Sequence, residues 1–221
     1  MGKKGNARNS ANTSYIIIRL TPLTDILGYR YGREATELAK RYAKVGWFPE
    51  DMVEHIDRIF ERDAYGRPII YFVHLRAVLR RGLSILESRG KIKTKEKEFI
   101  LRNLWIHHVR EVEKNVCVEE NGKKVTKKVT DYEVLPFRVQ YFYFKDNPII
   151  IERTIFSKEG QTLMVTEVIT PPNEAIFALE APSKYIPIIL EALQIAGLEV
   201  GMFSQGRMGF GRFTIEAIKI I

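Results

Sequence analysis

The stretch Gly197-Leu-Glu-Val-Gly-Met-Phe-Ser-Gln-Gly-Arg-Met-Gly-Phe-Gly-Arg-Phe213 holds five glycines and two arginines near the end of the chain. Glycine permits positive φ angles and the close approach of a second backbone, and the arginine guanidinium is a forked donor that suits phosphate. Phe203, Phe210 and Phe213 add rings of the kind that stack on unpaired bases. This combination predicts a contact with single-stranded nucleic acid. The alternative is a tight turn whose phenylalanines belong to the core.

The sequence around this segment predicts an α+β protein. Apolar residues at helical spacing predict helices over 72–89 and 183–196, each with one apolar face. A first strand is predicted over Tyr15–Leu20, where a β-branched run ends at Thr21-Pro22. Further β-branched and aromatic runs, separated by turn residues, predict antiparallel strands at 134–144, 148–156, 162–170 and 175–180.

Two insertions are expected between these elements. Helical patterns at 33–44 and 49–62 predict a helical insertion over residues 30–62. Residues 94–115 are expected to form a short helix followed by a strand.

A β-hairpin extension is expected over 105–135. Asn121-Gly122 between alternating valines is typical of a two-residue hairpin turn. The second arm of this hairpin is basic, through Lys123, Lys124, Lys127 and Lys128.

Composition favours a protein that meets polyanions. The 221 residues are 45% hydrophobic, with a formal net charge of +8, so a sizeable core and a surface that attracts nucleic acid are both expected. Met1–Ser14 is expected to be a flexible basic arm, and 15–221 a single domain. With no apolar run of membrane-spanning length, we expect a cytoplasmic protein without membrane contact.

The sequence gives no sign of a metal or cofactor. Cys117 is the single cysteine, so no internal disulfide and no cysteine-based zinc site are expected. The chain also lacks a phosphate-binding loop and a nucleophile elbow. High aliphatic and charged content is typical of thermophilic proteins.

The glycine-rich stretch resembles the C-terminal loop of the RAMP (repeat-associated mysterious protein) superfamily of CRISPR-associated RNA-binding proteins. That loop runs Gly-hydrophobic-Gly, five residues, Gly-hydrophobic-Gly. Gly201 and Gly209-Phe210-Gly211 match it, and Phe203 stands at a usual glycine. Thr170–Phe177 is similar to the strand before the family's last helix. The resemblance implies a ferredoxin-like (RRM-like) βαββαβ core with an antiparallel sheet.

A second resemblance lies upstream. Arg62–Ile70 and Leu75–Arg80 look like the stretch by which backbone subunits of CRISPR effector complexes hold guide RNA, with Tyr71–His74 replacing a small-residue turn. The leading hypothesis is therefore a guide-RNA (crRNA)-binding subunit of an effector ribonucleoprotein, beside other subunits or copies of itself. The RNA-binding candidates are Arg67, Arg76, Arg80, Lys123, Lys124, Lys127, Lys128, Gly201, Gly206, Arg207, Gly209, Gly211 and Arg212.

Catalysis is the first alternative to pure binding. Some members of the superfamily cleave repeat RNA without metal, through a histidine that assists attack by the RNA's own 2′-hydroxyl. His74 is the candidate, because it lies in the stretch expected to face RNA. Asp25 is a second candidate, since some backbone subunits cut target RNA with a loop aspartate, and Asp63 lies in a similar turn. The other alternative is a non-catalytic DNA-binding or structural assembly protein.

Overall fold

The computed structural model describes residues 12–120, 123–157, 160–203 and 210–221. Its strands are β1 (Thr13–Pro22), β2 (Ile26–Leu27), β3 (Arg30–Tyr31), β4 (Ile56–Ile59), β5 (Ile69–Tyr71), β6 (Trp105–Glu120), β7 (Lys123–Val139), β8 (Tyr141–Tyr143), β9 (Ile149–Ser157), β10 (Gly160–Ile169), β11 (Ala175–Pro182) and β12 (Phe213–Ile220). Its α-helices are α1 (Arg33–Ala43), α2 (Phe72–Ser88), α3 (Thr94–Arg102) and α4 (Ile186–Glu199), and short 3-10 helices cover Glu50–His55 and Ser183–Tyr185.

The main sheet has the strand order β12-β1-β11-β6-β7, and every neighbouring pair is antiparallel. Along the chain, β1, α2, β6, β11, α4 and β12 follow the βαββαβ pattern. The first four strands of the sheet lie in the ferredoxin-like order, and β7 extends its edge. The predicted α+β, ferredoxin-like fold class is confirmed.

The main core lies between this sheet and its two helices. On β1, Ile16, Ile18 and Leu20 are buried and pack in one cluster with Leu79 of α2 and Leu193 of α4. Alternation along the strand and 3.6-residue spacing along the helices bring these apolar side chains to one interface. The helices predicted over 72–89 and 183–196 are confirmed on this basis. None of the helices in the described residues is long and apolar enough to cross a bilayer.

Helices α2 and α4 approach each other at a bare stretch of backbone. A Cβ atom on Gly82 of α2 would overlap the carbonyl group of Ala192 on α4. Only a glycine fits at this crossing, because no side chain separates the two helices. Near this crossing, the N-terminal half of α2 lies close to the segment that follows α4.

The second sheet has the order β2-β10-β4-β3, with β9 on β10; β3 and β4 lie in the insertion expected over residues 30–62, and β2, β9 and β10 lie outside both expected insertions. Here the helix predicted over 49–62 is wrong: a 3-10 helix covers Glu50–His55, and β4 pairs in parallel with β10. Ile56 and Ile59 are buried three residues apart, a spacing that suits either a helix or a twisted strand. Pairing with β10 decides between them, since β-branched residues favour a strand when a partner is present.

The hairpin of β6 and β7 is longer than the predicted extension. Glu120 pairs with Lys123, and the turn predicted at Asn121-Gly122 lies outside the described residues. The pairing continues back to Ile106 opposite Val139, with an irregularity between His107 and Val109. The hairpin therefore grows directly out of the main sheet.

A buried ion pair joins the segment after β4 to β10. The Arg62 guanidinium donates to the Glu167 carboxylate, and both side chains are almost fully buried. The second carboxylate oxygen accepts the backbone N–H of Phe60 at 2.9 Å. Burial raises the pKa of Glu167 to about 7, with Arg62 acting in the opposite direction. Since the folded pKa lies above the unfolded one, the contribution of this carboxyl to stability falls as pH rises from about 4.5 to about 7.

Glu167→Ala should strongly destabilise the protein. It leaves the Arg62 guanidinium buried without a counter-charge, which costs about 3–5 kcal/mol, or roughly 6–20 °C in Tm for a chain of this size. Thermal unfolding near pH 8, where the carboxyl is ionised, measures the change. The control is Glu113→Ala, which breaks an exposed pair with Lys128 and should hardly move Tm. Equal shifts in Tm in the two variants would show that the buried pair contributes no more to stability than the exposed pair does.

Candidate nucleic-acid interface

The two ends of the glycine-rich segment are held against each other. Gly201 and Gly211 have φ angles of 71° and 74°, in the left-handed region that favours glycine. The Met202 N–H donates to the Gly211 carbonyl at 2.8 Å, and the Gly211 N–H donates to the Asp25 carbonyl at 2.8 Å. Residues 204–209 lie between these ends and outside the described residues, so the candidates Gly206, Arg207 and Gly209 are not placed.

No side chain fits where these two glycines meet. A Cβ on Gly201 would lie 2.9 Å from the Gly211 backbone, and a Cβ on Gly211 would overlap the Met202 carbonyl oxygen. Both predicted glycine positions therefore have a structural reason for glycine. Their role is to close the base of the segment, so that residues 204–209 leave and return at one point.

The exit of β1 anchors this base. The Leu23 N–H donates to the Arg212 carbonyl at 2.8 Å, and the Arg212 N–H donates to the Thr24 hydroxyl at 3.0 Å. These bonds hold the Arg212 backbone while its side chain remains exposed. Asp25, a candidate from the sequence, lies at the same junction through its backbone carbonyl, next to the start of β2.

The three phenylalanines of the segment have different surroundings. Phe213 is fully buried in the main core, so of the two interpretations of the phenylalanines the core one holds for it. Phe203 is half-buried and stacks on Tyr29 with ring centroids 5.4 Å apart. Its φ angle of 62° is one that glycine adopts readily, in line with the usual glycine at this family position. Phe210 is half-buried.

A small cavity of about 120 Å³ lies between α2 and the start of the segment; we call it the glycine-loop cavity. Its lining includes His74, Ala77 and Arg81 from α2, with Gly201 and Phe203 opposite. Positions 74, 77 and 81 share one face of a helix. The candidate His74 is thus brought beside the glycine-rich segment. Arg81 was not among the sequence candidates, although its spacing of seven residues from His74 places it on the same face.

His74 is enclosed by aromatic rings. Its imidazole lies 4.9 Å from the Phe203 ring and 5.0 Å from the Tyr29 ring, measured between centroids. Burial lowers the pKa of His74, and the nearby positive charge of Arg30 lowers it further. The Tyr29 hydroxyl is buried and has no hydrogen-bond partner among the described residues. A neutral imidazole and a phenol therefore lie together beside the glycine-rich segment.

The other α2 arginines differ in their surroundings. Arg76 donates to the Leu101 carbonyl at the end of α3 and is half-buried. It lies about 200° around the helix from His74, on the opposite face. Arg80 is exposed. Arg81 therefore lines the glycine-loop cavity, whereas Arg76 donates to a carbonyl at the C-terminal end of α3.

Arg67 is part of a turn. Its guanidinium pairs with Asp63 at 2.6 Å and lies over the Tyr143 ring, 3.6 Å from the centroid. Asp63 also accepts the backbone N–H groups of Tyr65 and Arg67. Burial raises the pKa of Asp63, but hydrogen bonds from Arg67 and Tyr65 outweigh it and leave the pKa lowered. Asp63 thus has the bonding pattern of a turn aspartate.

The lysines of the hairpin differ in their partners. Lys123 begins β7, register places Lys124 opposite Glu119 and Lys127 opposite Val116, and Lys128 pairs with Glu113 at 3.1 Å. Lys124, Lys127 and Lys128 are exposed. The predicted basic arm therefore has an acidic partner strand, which reduces the field that the hairpin offers to phosphate.

Comparison with known proteins gives a fold and no family. No family model matches the sequence, and no curated protein matches it. Among solved structures, the chain is similar to one in the cryo-EM structure of the Type III-B Cmr-beta bound to cognate target RNA. The TM-score is 0.57 and the identity 13%, and the match covers 95% of this chain and 61% of that chain. The chain thus spans under two thirds of the length of that neighbour and shares its fold.

The described residues hold no cluster of His, Cys, Asp and Glu that is suited to a metal ion. The arrangement that they do form is a closed glycine-rich segment, an exposed arginine at its base, and a second arginine beside a histidine on α2. Chemically, such a site can hold phosphates and place an imidazole next to a ribose.

Gly211→Ala should destabilise the protein more than Gly90→Ala. Both glycines have positive φ, so each alanine meets backbone strain of about 1–3 kcal/mol. A Cβ on Gly90 enters open space, whereas one on Gly211 meets Met202. Denaturant unfolding measures both free energies. Equal losses would mean that the backbone around Gly211 relaxes easily and that the close contact is not a constraint.

Proposed function

We propose that this chain is a CRISPR-associated RNA-binding protein of the RAMP type that holds guide RNA as a subunit of an effector ribonucleoprotein, closest to the backbone subunits. The observation that carries the proposal is the closed base of the glycine-rich segment, set on a ferredoxin-like fold. The fold similarity to a chain of an RNA-bound CRISPR complex supports it. The proposal places the protein in the cytoplasm, where such RNA is found.

Charge supports the choice of ligand. The net charge is +8, and Arg212 at the base of the segment is exposed. Arg80 and Arg81 are exposed on α2, and Arg81 lines the glycine-loop cavity. Glycines in a segment let phosphates approach main-chain N–H groups, while guanidinium groups neutralise them. In this mechanism the protein binds RNA and does not turn it over.

The double variant Arg207→Ala, Arg212→Ala should bind single-stranded RNA more weakly and with less salt dependence. If each arginine neutralises one phosphate, the slope of log affinity against log salt falls by about 1.4, because each single-strand contact contributes about 0.7. Fluorescence anisotropy with labelled RNA at several salt concentrations measures this change.

The matched control for this double variant removes the same charge elsewhere. Arg33 is almost fully exposed on α1, and Arg41 is exposed on the same helix; Arg33→Ala, Arg41→Ala should leave the slope near the wild-type value. Unchanged RNA binding in the Arg207, Arg212 variant would refute the proposal. Tighter binding to duplex DNA than to single-stranded RNA would instead favour a DNA-binding or assembly protein.

A metal-independent repeat-RNA endoribonuclease is the second candidate, because His74 lies beside Tyr29 and the glycine-rich segment. With its lowered pKa the imidazole is neutral at pH 7, as a general base must be. In this reaction the RNA 2′-hydroxyl attacks the adjacent phosphorus, the 5′-oxygen leaves with a proton, and a 2′,3′-cyclic phosphate remains.

Incubation of labelled repeat RNA with the protein and a metal chelator separates the two candidates. Our leading proposal expects the RNA to stay intact and His74→Ala to bind as wild type does. Cleavage to a cyclic phosphate that is lost in His74→Ala would establish the nuclease instead. His55→Ala is the control, since His55 lies at the end of the 3-10 helix in the insertion.

A further inference from the structure

A second cavity in the described residues lies away from the glycine-rich segment. It measures about 620 Å³ and is formed by the loop after α1, the turn after β4 and the loop before β9. We call it the aromatic cavity, after Trp47 and Tyr65 in its wall. Its volume lies within the range of about 300–1,000 Å³ that is usual for pockets for small organic groups. Neither the sequence nor the proposed function assigns a ligand to it.

The rim of this cavity exposes flat and apolar side chains. Tyr65 is 81% exposed, Ile149 51% and Trp47 37%. Neighbouring exposed side chains of this kind usually mark a binding surface. The backbone holds the indole in place, because it packs directly on Gly66, where a Cβ would lie only 2.8 Å from the ring. The indole of Trp47 is therefore packed against the turn that carries Tyr65.

The cavity also offers polar groups. The buried pair of Arg62 and Glu167 forms part of its lining, and so does the exposed amide of Asn147. The Arg62 Nε–H is buried and has no hydrogen-bond partner among the described residues. An unpaired buried donor is costly unless a ligand or water meets it. A ligand with a planar ring and polar edge atoms suits both the aromatic wall and the exposed amide of Asn147.

A row of stacked groups continues from the rim across the surface. The Arg67 guanidinium lies 5.2 Å from the centroid of the Tyr65 ring and 3.6 Å from that of Tyr143. His108 lies beyond, 5.4 Å from Tyr143 between ring centroids. Aromatic rings that alternate with a cation are the surface on which successive bases of a single strand stack.

We propose that the aromatic cavity takes one unstacked nucleobase of a single-stranded RNA, held between Tyr65 and Trp47 with its polar edge toward Arg62. This inference rests on the proposed RNA-binding function and adds a second contact point. The base enters as a flat ring with hydrogen-bonding edge atoms, and the neighbouring nucleotides follow the row formed by Tyr65, Arg67 and Tyr143.

The fluorescence of the Trp47 indole reports binding in the aromatic cavity. The sequence has two tryptophans, so the full chain with Trp105→Phe reports Trp47 alone. Short single-stranded RNA should quench its fluorescence in a saturable way, because a stacked base lies on the ring. Tyr65→Ala should weaken RNA affinity by about 5- to 150-fold, the loss of one base stack. Tyr65→Phe keeps the ring and should bind as wild type does.

Controls separate the base from the phosphates. An abasic oligonucleotide of equal length carries the same charge and should not quench Trp47. Tyr31→Ala removes another well exposed tyrosine, one outside the cavity, and should not change affinity. Quenching by the abasic strand, or wild-type affinity in Tyr65→Ala, would overturn the inference. Absence of quenching by both RNA and free nucleoside monophosphates would overturn it too, and would point to a protein segment as the occupant.

The failure of this inference differs from the failure of the proposed function. If the Arg207, Arg212 variant loses RNA while Tyr65→Ala retains it, the glycine-rich segment binds RNA and the aromatic cavity does not. If RNA quenches Trp47 equally in the wild type and in the arginine variant, the cavity inference is supported. The proposed RNA binding by the glycine-rich segment is then refuted.

Discussion

Direct contact between bare stretches of backbone is the constraint on which the candidate interface depends. At Gly82 it lets α2 cross α4 closely, and at Gly201 and Gly211 it closes the base of the glycine-rich segment. A Cβ at any of the three would overlap or crowd a neighbouring main chain, so glycine is required by geometry rather than by flexibility. Together these contacts bring the face of α2 that carries His74 next to the segment.

This geometry determines which arginine side chains lie near the glycine-rich segment. Helix α2 offers several arginines, but Arg76 is taken up by the end of α3, and Arg81 is the one beside the cavity. The hairpin lysines are numerous, yet Lys124 lies opposite Glu119 and Lys128 pairs with Glu113. Net charge attracts polyanions to the whole molecule. Local pairing with carboxylates neutralises part of the hairpin charge, whereas Arg81 and Arg212 near the glycine-rich segment are exposed.

The insertions give the molecule a second region with its own chemistry. Arg62 and Glu167 tie the turn after β4 to β10, and the same turn carries Tyr65 and Arg67 to the surface. The buried pair thus joins two elements of the fold and also forms part of the lining of the aromatic cavity. In our proposal, the protein contacts one RNA ligand at two separate points: the glycine-rich segment binds the strand, and this cavity binds a base.

The sequence by itself indicated β1, from its β-branched run, and α2 and α4, from helical spacing, and its resemblance to a known family implied the βαββαβ core. It also determined Gly201 and Gly211, whose spacing matches a known loop. It did not determine β4, where two isoleucines three apart suit a helix or a strand until β10 supplies a partner. Tertiary structure alone decided that Phe213 is core, that Arg81 replaces Arg76 at the cavity, and that Tyr65 and Trp47 share a wall. Those facts depend on contacts between residues distant in sequence, and local patterns do not encode such contacts.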